Sequence, residues 1–229
     1  ALVGVLDPFW DAKGYITAEE FHRFSGPIVP LARLKQHIYT NGDVLEAELE
    51  MAQFGPQDLQ DVHPLWTLHD RSGQTWQQGR LQRQTIPRGK LASIGSLKFP
   101  LEGFERAIKL TLELAIPDTE IRNHWDLWVY PAAQPEPRTD VLVTRSLDHA
   151  ALRRLQHGGK VLLSPPAQII RNDEAKPIRM GFSSIFWNTV WTGRQAPHTL
   201  GILCDPNHPA LAQFPTEYHS NWQWWELMH

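Results

Sequence analysis

Residues 181–226, GFSSIFWNTVWTGRQAPHTLGILCDPNHPALAQFPTEYHSNWQWWE, hold the densest set of side chains able to do chemistry. Five of the ten tryptophans lie here (Trp187, Trp191, Trp222, Trp224 and Trp225), interleaved with His198, His208, His219, Asp205 and Glu217. Large rings with a polar tip are costly to leave scattered in water, so such a cluster implies either a packed wall or a binding surface. Sugars suit the second role, because their C–H faces stack on indole. Trp187, Trp191, Trp222 and Trp224 are the candidates for stacking a pyranose. The competing reading has the same rings filling a core or a domain interface.

Acid–base chemistry has one candidate pair in this stretch, Glu217 and His219. Two positions apart, they share a face on a strand and diverge by about 200° on a helix. Nucleophilic chemistry is disfavoured. Ser164 is followed by Pro165 and Pro166; the second proline keeps the first out of helix, and neither ring has an N–H for an oxyanion hole. Cys204 sits inside an apolar run, where a free cysteine behaves as a small core residue. His63, His69 and His124 are isolated, so neither a metal site nor a cofactor is expected.

A second group lies near the start, in the loop Asp7-Pro8-Phe9-Trp10-Asp11-Ala12-Lys13-Gly14. It follows the apolar run Ala1 to Leu6, which reads as a short, fully buried strand of the kind found in parallel sheets and barrels. It precedes Thr17-Ala18-Glu19-Glu20-Phe21, a capping-box helix start. If the strand belongs to a barrel, its C-terminal loop faces the active site, and Asp7, Trp10 and Lys13 become wall residues. Otherwise this is an ordinary polar loop.

The elements between these groups follow from pattern. Pro27 and Pro30 mark a linker. From Leu31 to about Tyr130 the hydrophobicity has period two: Leu45, Ala47, Leu49 and Met51 alternate with Glu46, Glu48 and Glu50, and Ile108 to Ile116 alternates likewise. Gly and Pro breakers separate the runs. That is an antiparallel sheet protein with one wet face, and the spacing predicts a β-sandwich of immunoglobulin-like type. The three glutamates read as a solvated strand face. Three prolines within residues 131–137 make an extended connector. Beyond it, Val141 to Val143, an Asp148-capped helix with Ala151, Leu152 and Leu155 inward, and Lys160 to Leu163 read as a β–α–β unit. Leu200 to Cys204 is expected as a third buried strand.

Composition narrows the partners. The 229 residues are 41% hydrophobic and 21% charged, as in globular proteins. A net charge of −3 offers no basic field for nucleic acid. No apolar run reaches the ~20 residues of a membrane helix. One cysteine excludes an intrachain disulfide, and it is compatible with a periplasmic, secreted or cytoplasmic protein. Both ends fall within apolar runs and are expected to have been cut from something longer. Exposed apolar surface there would favour homo-oligomers.

The run ALVGVLDPFWDAKGYITAEEFHRFSGPIVPLARL resembles the end of the catalytic barrel in a bacterial branch of glycoside hydrolase family 2, the β-galactosidase-like enzymes. TNGDVLEAELEMAQFGP and TIPRGKLASIGSLKFPL are similar to the sandwich that follows it. GILCDPNHPALAQFPTEYHSNWQWWEL is similar to an α/β appendage akin to the class I glutamine amidotransferase fold. The resemblance implies a TIM-barrel remnant over residues 1–28, an immunoglobulin-like sandwich over 29–131, a linker over 132–137, and a flavodoxin/amidotransferase-like α/β domain over 138–229, cut short at its C-terminus. It implies retaining hydrolysis by two glutamates with carboxyl groups ~5 Å apart, both lying before Ala1. The strand end that would carry an amidotransferase cysteine reads Leu163-Ser164-Pro165, a departure that implies a non-catalytic appendage.

The expected role is therefore the accessory part of a glycoside hydrolase. Its partners would be a carbohydrate and the remainder of the barrel, and the isolated chain would be inactive. The alternatives are a stand-alone sugar-binding module built on Trp187, Trp191, Trp222 and Trp224, and an enzyme using Glu217 and His219 on a small amide or ester.

Overall fold

The computed structural model describes residues 4–133, 140–166, 169, 171 and 202–228. Two compact units divide the chain. The first ends at Ala132 and also includes Gln213–Pro215; the second comprises Ala133–Ala212 and Thr216–His229.

In the first unit, residues 4–16 form turns and bends closed by one bridge, Leu6 to Ala12. The buried strand expected here is not formed at its described residues. Leu6 is exposed, and among the described residues no strand pairs with the segment to bury it. The helix that follows is as expected. In α1, Ala18–Ser25, the Thr17 hydroxyl accepts from the Glu20 N–H at 3.1 Å, and the Glu20 carboxylate accepts from the Thr17 N–H at 2.8 Å.

The period-two region is a two-sheet β-structure. The strands are β1 (Ile28–Leu34), β2 (Ile38–Thr40), β3 (Val44–Gln53), β4 (Leu59–Val62), β5 (Leu65–Asp70), β6 (Thr75–Arg80), β7 (Gln84–Ile86), β8 (Lys90–Pro100), β9 (Ile108–Ala115) and β10 (Arg122–Tyr130). One sheet has the order β1-β3-β8 and the other β2-β10-β9-β5-β6, while β4 and β7 pair separately. All pairs are antiparallel except β2 with β10. Alternation decides the faces. Leu45, Ala47, Leu49 and Met51 of β3 point inward, against Leu110, Leu112 and Leu114 of β9 and Leu127 and Val129 of β10, in one continuous core.

β8 obeys the same rule after a correction. Its inward residues Ile94 and Leu97 are three apart, because the register with β3 slips between Leu49 and Glu50. Ile94 is the extra residue there, and Gly95 beside it, at φ 140°, adopts a conformation that L side chains rarely take, so the strand can bulge and resume its alternation. Two buried amide side chains, Gln53 and Asn123, are hydrogen-bonded. The Gln53 amide donates to the Gln57 carbonyl at 3.0 Å and accepts from the Gly55 N–H at 2.8 Å. Asn123 of β10 donates to the Pro30 carbonyl of β1 at 3.0 Å, tying one sheet to the other.

In the second unit, β11 (Val141–Thr144) and β12 (Lys160–Leu163) pair in parallel, joined by α2 (His149–Gln156). The Asp148 carboxylate caps α2 by accepting from the Ala151 N–H at 2.9 Å. Of the expected inward positions, Ala151 is buried, while Leu152 and Leu155 are exposed. The third strand predicted over Leu200 to Cys204 differs in its described part. Leu203 makes one antiparallel bridge, to His219, and its side chain is 86% exposed. The apolar run reported hydrophobicity; it carried no information about which segment would pair with it.

Candidate functional site

Of the candidates near the start, Asp7 organises its own loop. Its Oδ1 accepts from the N–H groups of Phe9 at 2.8 Å and Asp11 at 3.0 Å, a self-capped turn. Trp10 has φ 71° and is 83% exposed, an uncommon backbone for a bulky residue. The Lys13 ammonium donates to the Gly4 carbonyl at 2.8 Å, and the Tyr15 hydroxyl donates to the same oxygen. The three wall candidates thus lie on one tight loop, with Trp10 presented outward and Asp7 and Lys13 occupied in holding it.

Of the tryptophan-rich stretch, Trp187, Trp191 and His198 lie outside the described residues. Within the rest, the structure separates rings that the sequence treated alike. Trp222–Trp224 is a single 3-10 turn leading into the short α3, Trp225–Met228. Trp222 and Trp225 meet at 5.5 Å between ring centroids, inclined at 38°, and both are exposed. Trp224 turns inward: its indole N–H donates to the Thr216 hydroxyl at 2.9 Å, and the Gln223 amide donates to the same oxygen at 3.1 Å. Thr216 and Gln223 are buried, so this hydroxyl is the polar node that fixes the turn.

Other polar candidates serve as local caps. Asp205 accepts from the Asn207 N–H at 3.0 Å, and His208 Nδ1 accepts from the Ala210 N–H at 3.1 Å at the start of a 3-10 turn. Glu217 is partly buried and His219 exposed. Cys204 is buried. Ser164 leaves β12 with its N–H donating to the Thr144 carbonyl at 2.8 Å.

Two arrangements escaped sequence reasoning. The face bearing Glu46 and Glu50 is laced with ion pairs: Arg33–Glu50 at 2.6 Å, Lys98–Glu46 at 2.8 Å and Lys35–Glu46 at 3.5 Å. The Lys98 ammonium, with Lys35, holds the exposed Glu46 carboxyl below its ordinary pKa. Cross-strand register brings these charges together, which one strand's sequence does not reveal.

The second arrangement lies on the outer face of β9 and β10. Trp128 is fully buried there, with the Lys109 ammonium 5.5 Å from its ring centre and an ion pair from Lys109 to Asp126 at 2.6 Å. Its indole N–H donates to the Pro215 carbonyl at 3.1 Å. Beside it, Tyr130 stacks on Phe214 at 5.9 Å and 23°. Burial pushes the Tyr130 phenol up to about 12. The only sequence signal was an outward-phase tryptophan in β10.

Among the described residues, no group of three or more His, Cys, Asp or Glu could hold a metal ion, and no helix is long and apolar enough to cross a membrane.

Residues 43–131 match the family described as "Domain of unknown function (DUF8488)", and residues 142–229 match the one described as "Domain of unknown function (DUF8487)". No curated protein matches the chain in sequence. Similar solved structures include a family 123 glycoside hydrolase from Clostridium perfringens, at 10% identity and TM-score 0.30 over 46% of this chain and 25% of that one. Another is Spo0M, a sporulation control protein from Bacillus subtilis, at 16% identity and TM-score 0.32 over 46% of this chain and 50% of that one. A third is the Parabacteroides merdae β-glucuronidase, at 11% identity and TM-score 0.31 over 45% of this chain and 14% of that one. The chain thus spans at most half the length of these structures.

Proposed function

We propose that this chain is a non-catalytic accessory part of a glycoside hydrolase, in which residues 1–28, carrying α1, form the end of the catalytic barrel and the sandwich braces that barrel. The observation that carries the reading is α1 itself. It is a capped helix in which no residue is buried, although Phe21 and Phe24 meet edge to face at 5.2 Å on its surface. Phe9 and Trp10, in the loop before it, are each 83% exposed. Short helices owe most of their stability to burying an apolar face, and so much exposed aromatic surface marks a contact site. The remainder of the barrel is the partner that the sequence resemblance implies, with Asp7, Trp10 and Lys13 then lining the sugar site.

Two further features favour the reading. The strand order β1-β3-β8 against β2-β10-β9-β5-β6, with β2 parallel to β10, suits an immunoglobulin-like sandwich. The parallel β11–α2–β12 unit suits an amidotransferase-like appendage. The test is hydrolysis of aryl glycosides by the isolated chain. The reading predicts no turnover above buffer; robust turnover would require carboxylates acting within this chain and would refute it.

A second reading, a carbohydrate-binding surface, is favoured by the exposed Trp222–Trp225 pair. Titrating the chain with soluble oligosaccharides while following tryptophan emission tests it. A saturable shift supports sugar stacking, and no shift at high millimolar sugar removes it.

A further inference from the structure

We propose that Gln213–Phe214–Pro215 is an integral part of the sandwich: a strap that closes the outer face of the five-stranded sheet and makes the sandwich a discontinuous folding unit. This is independent of the glycosidase reading. Residues 43–131, the span matched to the family described as "Domain of unknown function (DUF8488)", leave the strap out.

Strand phase poses the problem that the strap solves. Leu127 and Val129 of β10 belong to the core, so Trp128 between them faces outward, yet it has 0% exposure. An outward indole buried so completely needs both a cover for its ring and an acceptor for its N–H. Gln213–Pro215 groups with the sandwich, although the residues flanking it belong to the second unit. Pro215 supplies the acceptor at 3.1 Å, and Phe214 lays its ring on neighbouring Tyr130. The residue types fit. Proline has no N–H to satisfy and a fixed φ, so it presents its carbonyl at low entropic cost, while phenylalanine supplies apolar area without a polar group. Against the same indole, the Lys109–Asp126 pair is largely withdrawn from water, with side-chain exposures of 13% and 26%. Loss of the strap would leave the indole N–H without its acceptor.

Exchange of the Trp128 indole proton, read by NMR in the full chain, tests this. Trp128→Phe identifies the resonance by its disappearance. The expected result is slow exchange in the parent chain, acceleration of about tenfold or more in Phe214→Ala, and restored protection in Phe214→Tyr. Backbone amides of Leu49 and Leu112 serve as the reference for the intact core. If Phe214→Ala loses that reference protection, Phe214→Leu, which keeps bulk and loses the stack, is read in its place. Indole exchange unchanged from the parent, with the core intact, overturns the proposal.

Discussion

Trp128 and Pro215 stand 87 positions apart in the chain, yet the indole N–H of one donates to the carbonyl oxygen of the other across 3.1 Å. The bond fixes an aromatic ring on the outside of a sheet, where hydrophobic patterning alone would place a polar residue. Trp128→Phe keeps an aromatic ring and removes the donor, leaving the Pro215 carbonyl without it. The expected cost is about 1–2 kcal/mol, seen as a lower urea midpoint with an unchanged slope.

Gly79 on β6 lies opposite Trp66 of β5, and a Cβ added there would sit 2.6 Å from the Trp66 indole nitrogen. The indole is rigid and packed in the core, so it has little room to move. Gly79→Ala should destabilise the sandwich by about 1–3 kcal/mol through overpacking. Thermal unfolding monitored by near-UV circular dichroism reads this; an unchanged midpoint would mean that β6, an edge strand, yields freely.

Alkaline pH should unfold the sandwich. Burial pushes Tyr39 and Tyr130 up to about 12 from an ordinary value of 10.0, with the Asp43 charge adding to the shift at Tyr39. Phenols raised on folding contribute stability that is fully present below pH 10 and is lost as the pH rises toward 12, because the unfolded chain ionises first. In a phenolate absorbance titration, these two groups should ionise together with the loss of structure. Their ionisation near pH 10 with the fold intact would contradict their burial.

Trp222 and Trp224 should behave differently when changed. Trp222→Ala removes an exposed ring and should cost little stability, under about 0.5 kcal/mol, while lowering any affinity for oligosaccharide. Trp224→Phe removes a donor to the buried Thr216 hydroxyl and should lower the melting temperature instead. Paired melting curves and sugar titrations of the two variants separate a binding role from a packing role.

Local chemistry made part of this legible in advance. The alternation from Leu45 to Met51 reports which face is buried, because side chains in a strand point alternately to its two sides. The Thr17/Glu20 capping box and the Asp148 cap were readable because each partner lies three positions from the other. Pairing was not readable. Nothing near Ile38–Thr40 indicates that β2 runs parallel to β10, and nothing near Leu203 indicates His219 as its partner. The tryptophans show the same limit. Composition gathers Trp222, Trp224 and Trp225 into one wall, whereas one 3-10 turn sends Trp224 to Thr216 and leaves the other two outside.

The central claim, that this chain serves a glycosidase rather than acting alone, is tested most directly by the coding sequence upstream of Ala1. The account predicts a continuous reading frame encoding a (β/α)8 barrel, with two glutamates at strand ends whose carboxyl groups lie ~5 Å apart. A start codon immediately before Ala1, or an unrelated domain in that frame, would contradict it and leave the sugar-binding reading of Trp222 and Trp225 in its place.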